Sequence, residues 1–544
     1  NALAGQTVSV TAGNGATVSP TVITGPDGTV EISVTSQTAG VSAVTATINN
    51  STASQNVMFI ADVRTAKIAD LVVTRDNSVA DGAMANTLQV KVTDANGNTL
   101  AGQTVSVLAD NSATTAPTVI TEPDGTVEIS VTSQTAGTST VTATINSSSQ
   151  SQNVTFIADI RTAQIADLVV IKDGSVADGS TANMLRVRVT DAFGNALGGQ
   201  TVSVLADNGV TTAPTVITEP DGTVEISVTS QTAGVSAVTA TINSSSQSQN
   251  VTFIADVSTA KIADLVVIKD GSEADGSTAN TLRVRVTDAF GNTLAGQTVS
   301  VLADNGATTA PTVITEPDGT VEISVTSQTA GVSAVTASIN SSSQSRNVTF
   351  VADVRTAQIA DLVVIKDGSE ADGATANTLR ARVTDAFGNA LAGQTVSVLA
   401  DNGATVAPTV TTQPDGTVEI SVTSQTAGVS AVTATINSST QSQNVTFIAD
   451  VRTAKIADLV VIKDGSEADG STANTLRARV TDAFGNALAG QAVSVMAGNS
   501  ATVTPTVTTQ SDGTVEFSVT SQTAGTSTVT ASINSSSLSR DVTF

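Results

Sequence analysis

Carboxylate side chains are the residues of this sequence that could do chemistry. Glu219 and Asp221 are two residues apart, and a pair of carboxyl groups that flank a glycosidic bond is the machinery of a glycosidase. The pair falls in a Glu-Pro-Asp-Gly turn sequence, and the chain has no Trp or Tyr to form a platform for a sugar. We therefore interpret both residues as part of a turn and predict no enzymatic activity.

Other aspartates could bind calcium, a hard cation that takes carboxylate and carbonyl oxygens. The candidates are Asp159 and Asp256, which lie at joints of the repeat described below, and the turn residue Asp191. The alternative is that these aspartates accept backbone hydrogen bonds, the ordinary role of Asp in such turns. We favour the alternative, so no cofactor is predicted, and calcium at the joints is the competing hypothesis.

The composition excludes several other classes of function. The sequence has no Cys and no His, which removes thiol nucleophiles, Ser-His dyads, zinc sites built on those residues, and thiol redox pairs. The formal net charge of −25 argues against nucleic acid and anionic membranes as partners. Apolar runs are far shorter than the roughly 20 residues that cross a bilayer, so no direct membrane insertion is predicted.

The elements that would position these side chains recur every 97 residues. A Gly-Gln step marks the period, at Gly5, Gly102, Gly199, Gly296, Gly393 and Gly490. A unit of this length is a small domain rather than one turn of a solenoid. We predict a partial repeat over residues 1–59 that lacks its opening strands, here repeat 1. Five complete repeats, numbered 2 to 6, follow over residues 60–156, 157–253, 254–350, 351–447 and 448–544.

Each repeat carries the pattern of seven or eight short strands. In repeat 3, Leu185, Val187 and Val189 alternate with Arg186 and Arg188, which predicts a strand with one buried face. Turn sequences separate such segments at intervals of about 8 to 12 residues. The predicted fold is all-β: antiparallel, immunoglobulin-like β-sandwiches in tandem, stacked end to end as an elongated rod.

Two details of the strand pattern are also predicted. The turn from Asp191 to Asn195 is expected to reverse the chain, with its Gly and Asn at positive φ. A polar hairpin over residues 243–248 is expected to precede a short closing strand over residues 250–253.

The segment from Phe253 to Ile262 joins two repeats and contains no Gly or Pro. Such a connection is not a flexible linker, so it predicts stiff joints. A phenylalanine at a hairpin tip could bind a partner, but we predict that it packs against the adjoining repeat. These residues are Phe193, Phe290, Phe387 and Phe484, whereas Asn96 takes the place in repeat 2.

The repeats resemble the bacterial Ig-like (Big-1) repeats of the invasin and intimin adhesins. The resemblance rests on Ala-Asp-Gly at 177–179, Val-x-Asp-x-x-Gly-Asn at 189–195, Gly-Gln-x-Val at 199–202, Gly-Thr at 222–223 and Val-Thr-Phe at 251–253. In that family such repeats form the extracellular stalk of outer-membrane adhesins, which are exported through a β-barrel anchor and often end in a receptor-binding tip. The resemblance therefore implies an extracellular location at a bacterial surface.

The function predicted from the sequence is a structural stalk that spaces an adhesive tip from the outer membrane and bears tension. The alternative is a repetitive module for self-association, as in biofilm cohesion, or a subunit of an extracellular filament. The predicted partners are the neighbouring repeats, other copies of the chain, and a host or surface receptor bound through a tip outside this segment.

Overall fold

The structure, a computed structural model, describes residues 1–544. Its regular elements are β-strands and five single-turn 3-10 helices, and no helix is long and apolar enough to cross a membrane. The all-β prediction is confirmed. The chain forms two compact units, residues 1–257 and residues 258–544, each described by itself. The 3-10 helices are Val63–Thr65, Ile160–Thr162, Val257–Thr259, Val354–Thr356 and Val451–Thr453.

The strands of the unit 1–257 belong to repeats 1, 2 and 3. Repeat 1 has β1 (Thr7–Ala12), β2 (Thr17–Val18), β3 (Thr21–Ile23), β4 (Val34–Thr35), β5 (Gly40–Ile48) and β6 (Ser51–Phe59). Repeat 2 has β7 (Lys67–Arg75), β8 (Ser78–Val79), β9 (Asn86–Thr93), β10 (Thr104–Ala109), β11 (Thr114–Thr115), β12 (Thr118–Ile120), β13 (Thr126–Thr132), β14 (Gly137–Ile145) and β15 (Ser148–Ile157). Repeat 3 has β16 (Gln164–Lys172), β17 (Ser175–Val176), β18 (Asn183–Thr190), β19 (Thr201–Ala206), β20 (Thr211–Thr212), β21 (Thr215–Ile217), β22 (Thr223–Thr229), β23 (Gly234–Ile242) and β24 (Ser245–Ile254).

Two sheets make up each complete repeat of this unit. In repeat 3 the orders are β16-β18-β22-β20 and β17-β24-β23-β19-β21, and repeat 2 has the equivalent sheets β7-β9-β13-β11 and β8-β15-β14-β10-β12. All pairs are antiparallel except β8 with β15 and β17 with β24. Repeat 1 has one four-stranded sheet, β3-β1-β5-β6, and the pair β2-β4, and Val10 is its single buried hydrophobic residue.

Alternation along the strands builds the core between the two sheets. Leu185, Val187 and Val189 are fully buried, whereas Arg186 and Arg188 are exposed, so the predicted face of β18 is confirmed. Burial of one such aliphatic side chain contributes about 1.5 to 3 kcal/mol. The two sheets of repeat 3 are therefore held together by apolar side chains buried between them.

Polar side chains from the β23–β24 hairpin hold the first strand of repeat 3. Strand β16 has a register shift between Ile165 and Asp167, which leaves backbone groups outside the ladder. Ser245 Oγ accepts a hydrogen bond from the Ile165 N–H at 3.0 Å, and Asn243 Nδ2 donates to the Ala163 carbonyl at 3.0 Å. The hairpin thus ties one sheet of the sandwich to the other along this edge.

The prediction for that hairpin was wrong. Strand β24 begins at Ser245, not at residue 250, and pairs with β23 without interruption from Gly234 opposite Phe253 to Ile242 opposite Ser245. The turn is only two residues long, and Asn243 takes the positive φ, 49°, that such tight turns need. Ser245, Ser246 and Ser248 were predicted in the turn but belong to strand β24. Polar residues suit such a strand because its outer face meets water.

The unit 258–544 holds most of repeat 4 and all of repeats 5 and 6. Repeat 4 has β25 (Lys261–Lys269), β26 (Ser272–Glu273), β27 (Asn280–Thr287), β28 (Thr298–Ala303), β29 (Thr308–Thr309), β30 (Thr312–Ile314), β31 (Thr320–Thr326), β32 (Gly331–Ile339) and β33 (Ser342–Val351). Repeat 5 has β34 (Gln358–Lys366), β35 (Ser369–Glu370), β36 (Asn377–Thr384), β37 (Thr395–Ala400), β38 (Thr405–Val406), β39 (Thr409–Thr411), β40 (Thr417–Thr423), β41 (Gly428–Ile436) and β42 (Ser439–Ile448). Repeat 6 has β43 (Lys455–Lys463), β44 (Asn474–Thr481), β45 (Ala492–Ala497), β46 (Thr502–Val503), β47 (Thr506–Thr508), β48 (Thr514–Thr520), β49 (Thr526–Ile533) and β50 (Ser536–Thr543). Repeats 4 and 5 have the two sheets of repeat 3, and repeat 6 has two four-stranded sheets.

Candidate functional site at the joints between repeats

Four joints lie inside one or the other compact unit, and they share a construction. They join repeats 1 and 2, 2 and 3, 4 and 5, and 5 and 6. In each, the linker forms one turn of 3-10 helix, and the side chain of its N-cap aspartate accepts a hydrogen bond from the N–H of the arginine two residues later. These capping residues are Asp62, Asp159, Asp353 and Asp450.

An asparagine side chain connects the two repeats at the joint between repeats 2 and 3. Asn195, at the end of the β18 turn, accepts a hydrogen bond through Oδ1 from the Ala136 N–H at 2.8 Å. Its Nδ2 donates to the Gln134 carbonyl at 2.9 Å. Because Gln134 and Ala136 belong to repeat 2, one side chain bridges two backbone groups of the preceding repeat. We call this pair of bonds the asparagine clasp.

The clasp recurs at the other three joints. Asn98 accepts from the Ala39 N–H at 2.7 Å and donates to the Gln37 carbonyl at 2.8 Å. Asn389 makes the corresponding bonds to Ala330 and Gln328 at 2.8 and 2.9 Å, and Asn486 makes them to Ala427 and Gln425 at 2.8 and 2.9 Å. A neutral hydrogen bond contributes about 1 kcal/mol net, so each clasp contributes on the order of 2 kcal/mol.

The receiving loop of the preceding repeat is shaped by a buried serine. Ser133 Oγ accepts from the Thr135 N–H at 2.9 Å and donates to the Thr135 carbonyl at 2.8 Å. Both backbone polar groups of Thr135 are then occupied within the loop. The Gln134 carbonyl and the Ala136 N–H remain for the asparagine of the next repeat.

A buried aspartate orients the clasp. Asp191 has no exposed surface. Its Oδ1 accepts from the N–H groups of Phe193 and Asn195, both at 2.9 Å, and its Oδ2 accepts from Asn195 Nδ2 at 2.8 Å. Oδ2 also accepts from the Asp159 N–H, in the linker, at 3.1 Å. The carboxylate therefore fixes the turn, the amide and the linker together.

The linker aspartate is itself held by an arginine. Arg161 Nε donates to Asp159 Oδ1 at 2.8 Å, and the Arg161 N–H donates to the same oxygen at 3.0 Å. The hydrogen bond from the Arg161 guanidinium is the main reason that the pKa of Asp159 lies below its usual range, although burial opposes it. Thr162 Oγ1 accepts from the Ala192 N–H at 3.2 Å, which adds a second contact between linker and turn.

The structure brings Asp159 and Asp191 together, and Asp256 takes the place of Asp159 one repeat further along. No group of three or more His, Cys, Asp or Glu side chains is arranged to hold a metal ion. Since four N–H donors already occupy the Asp191 carboxylate, calcium would have to displace some of them. The hydrogen-bonding interpretation fits the geometry, and calcium stays a prediction to be tested.

The tip phenylalanines are about half exposed, at 45% for Phe193 and 47% for Phe290, Phe387 and Phe484. Each follows the buried aspartate of its turn by two residues. Their predicted packing against the adjoining repeat stays a prediction.

Glu219 and Asp221 lie in the predicted turn, where Asp221 Oδ1 accepts from the Thr223 N–H at 2.9 Å and from Thr223 Oγ1 at 2.8 Å.

The sequence did not lead us to predict that Asn195 connects two repeats; we predicted only that it has a positive φ. That assignment was wrong: Gly194 has a φ of 88°, whereas Asn195 is not among the residues with positive φ. A signal was present, because Asp-x-x-Gly-Asn recurs in repeats 2 to 6 and Ser-Gln-Thr-Ala-Gly recurs in all six. These two motifs supply the two sides of the joint.

Comparison with known proteins identifies the family to which these repeats belong. The model of the family described as bacterial Ig-like domain (group 1) matches residues 68–157, 165–254, 262–351, 359–448 and 456–544. The chain is similar to the inverse autotransporter adhesin YeeJ of Escherichia coli (strain K12), with 30% identity over 562 residues. That match covers 97% of this chain and 23% of the relative, so the chain spans about a quarter of the relative's length.

Two solved structures are also similar. The crystal structure of invasin, a bacterial integrin-binding protein, has 23% identity and a TM-score of 0.35, and the match covers 69% of this chain and 78% of that one. The structure of Yersinia pseudotuberculosis InvD has 16% identity and a TM-score of 0.34, with 53% and 98% covered. Both TM-scores are low, so the assignment rests on the family model and on the strand pattern. The chain belongs to the group 1 bacterial Ig-like domain family, as its motifs predicted.

Proposed function

We propose that this chain is part of the structural stalk of a bacterial cell-surface adhesin and acts as a stiff spacer. The observation that carries the proposal is the asparagine clasp, which recurs with the same partners at four joints. Two bonds from one short side chain restrain both bending and twisting, because either motion lengthens at least one of them. The linker, capped by its own aspartate, adds little slack.

The adhesin context comes from the relative, which is named an inverse autotransporter adhesin. On this proposal the chain is extracellular at a bacterial surface, and receptor binding belongs to parts of the protein outside this segment. The neighbouring repeats are its main partners. No catalytic role is proposed, since the joints use their carboxylates as acceptors for backbone N–H groups.

Small-angle X-ray scattering of the 544-residue chain tests the proposal. On this proposal, with each sandwich about 40 Å long, we expect a maximum dimension of roughly 200 Å and a radius of gyration near 60 Å. One compact globule of this length would have a radius of gyration of about 24 Å. A value near the globule would contradict the spacer proposal.

Variants of the clasp asparagines test whether the maximum dimension depends on these residues. We expect the quadruple change N98A, N195A, N389A and N486A to shorten the maximum dimension, because released joints bend. The matched control changes four exposed asparagines on the last strands of repeats 2 to 5, which lie away from the joints: Asn153, Asn250, Asn347 and Asn444 to Ala. Sedimentation over a range of concentrations distinguishes the spacer from the alternative, a self-association module, because the mass of a self-associating chain would rise with concentration.

A further inference from the structure

The joints carry a second inter-repeat contact that is present at some of them and absent at another. In the unit 258–544, the Arg355 guanidinium forms an ion pair with Glu273 of the preceding repeat, and Arg452 forms the same ion pair with Glu370. We call each of these pairs a strap. Each arginine also binds the aspartate that caps its own linker, Asp353 or Asp450.

The joint between repeats 2 and 3 provides an internal comparison. Its arginine, Arg161, makes the same bond to its capping aspartate and is 66% exposed, against 64% for Arg355. At this joint the position equivalent to Glu273 is Val79, which is uncharged, so the strap cannot form. The hydrogen bond with the capping aspartate, Asp159 or Asp353, is the main reason that the pKa values of Arg161 and Arg355 are raised. Asp81 and Asp275, in corresponding turns, add a smaller attraction that is common to both joints.

Each strap is connected to its linker through the arginine, which also binds the capping aspartate. The N–H groups of Arg355 and Thr356 donate to Asp353 Oδ1 at 3.0 Å and to the Asp353 carbonyl at 3.2 Å. At the comparison joint, Arg161 and Thr162 make the same bonds to Asp159, at 3.0 and 3.2 Å. The backbone of the two linkers is therefore hydrogen-bonded identically, and the strap is the principal difference in charge.

We propose that the Glu273–Arg355 and Glu370–Arg452 straps make the joints of the unit 258–544 a salt-sensitive class, held more firmly at low ionic strength than the unstrapped joint at Arg161. Partly exposed ion pairs are screened by salt, and the screening length falls from about 10 Å at 0.1 M to about 3 Å at 1 M. The array then has joints of graded stiffness. This inference deepens the spacer role, but its test is local and does not depend on whether the whole chain is extended.

Amide hydrogen exchange of the full chain, followed by mass spectrometry, tests the straps. We expect 1 M NaCl to raise exchange in linkers 352–357 and 449–454 by about two- to fivefold more than in linker 158–163. The change E273V should raise exchange in linker 352–357 by a similar factor and leave linker 449–454 unchanged. This variant should fold, since Val79 and Val176 occupy that position in repeats 2 and 3.

A gain-of-contact variant and a charge control complete the test. V79E gives Arg161 the missing partner, so exchange in linker 158–163 should fall and become salt-dependent. E316Q removes one negative charge from repeat 4 away from the joint and should change neither linker; Gln413 and Gln510 occupy that position in repeats 5 and 6. Equal exchange in E273V and wild type, or no effect of V79E, would overturn the proposal. Either result would leave the scattering test of the spacer role intact.

Discussion

Asn195 and Asp191 occupy the two ends of one five-residue turn, and Asn195 Nδ2 lies 2.8 Å from Asp191 Oδ2. This contact sets the orientation of the amide, so that its oxygen meets the Ala136 N–H and its other N–H meets the Gln134 carbonyl. A side chain that is already oriented loses less conformational entropy when it bridges two repeats. Folding of the turn therefore prepares the closure of the joint.

Loss of the clasp at a single joint should be visible at the amide that it protects. In N195A the Ala136 N–H loses its acceptor, and an interaction of about 1 to 1.4 kcal/mol corresponds to roughly five- to tenfold faster hydrogen exchange at that residue. Exchange in the core strands of repeats 2 and 3 should not change. The control N250A alters an exposed asparagine of β24. Unchanged exchange at Ala136 would show that the clasp does not restrain the joint.

Removal of the buried carboxylate should cost more than removal of the clasp. D191A leaves the N–H groups of Phe193, Asn195 and Asp159 without their acceptor, so we expect a loss of about 3 kcal/mol or more. For a domain of this size that loss lowers the Tm of repeat 3 by roughly 10 to 20 °C, which calorimetry of the full chain would resolve. The control D221N alters a carboxylate of an exposed turn. A Tm equal to that of the control would mean that water replaces the carboxylate without cost.

The two kinds of phenylalanine in the repeats should respond very differently to substitution. Phe156 is 1% exposed in the core of repeat 2, so F156A should lower the free energy of unfolding by about 3 to 5 kcal/mol. F193N places at the tip the residue type that Asn96 supplies in repeat 2, and we expect a loss of at most about 1 kcal/mol. Calorimetry measures both, and a larger loss in F193N would mean that the joint depends on the ring.

The core and the strand order follow from patterns that the sequence displays directly. Alternation of apolar and charged residues places Leu185, Val187 and Val189 inside, because a strand has only two faces. The turn that ends at Gly222 was equally clear: an added Cβ there would lie 2.6 Å from the Val189 carbonyl oxygen, so glycine is required. Features whose physical cause lies in neighbouring residues, such as strand alternation and tight turns, could therefore be predicted without the structure.

Contacts between polar side chains and distant backbone could not be read in that way. Ser245 and Asn243 were taken for a polar hairpin, yet they hold strand β16, some 80 residues earlier in the chain. Asn195 reaches a loop about 60 residues earlier. A hydroxyl or an amide has the same sequence signature whether it binds water or a backbone group, so only the fold reveals its partner.

Calcium should have no effect on the joints. Chelation with EDTA should leave the Tm and the exchange of linker 158–163 unchanged, because the oxygens of Asp191 are occupied by four N–H donors. Addition of millimolar calcium should likewise change neither. A rise in Tm with calcium that D191N abolishes would instead make the joint aspartates ligands.

Stability should respond to acid and not to pH changes near neutrality. The chain has no His, so no side chain with an unperturbed pKa titrates between pH 5 and pH 8. Hydrogen bonds from Thr375 and Ala374 lower the pKa of Asp372 to about 2, and the Arg161 guanidinium lowers the pKa of Asp159. A carboxyl group whose pKa is lower in the folded state stabilises that state above its unfolded pKa, near 4. This stabilisation is lost as the pH falls through the folded value.

We therefore expect the Tm to fall steeply between about pH 4 and pH 2, with little change from pH 8 to pH 5. The variant D372N removes one of these carboxyl groups, so its Tm should be lower at pH 7 and closer to that of wild type at pH 2. Thermal scans across the pH range measure both. A Tm that stays constant down to pH 2 would mean that these carboxylates contribute nothing to the folded state, because protonation then costs no more in the native chain than in the unfolded one.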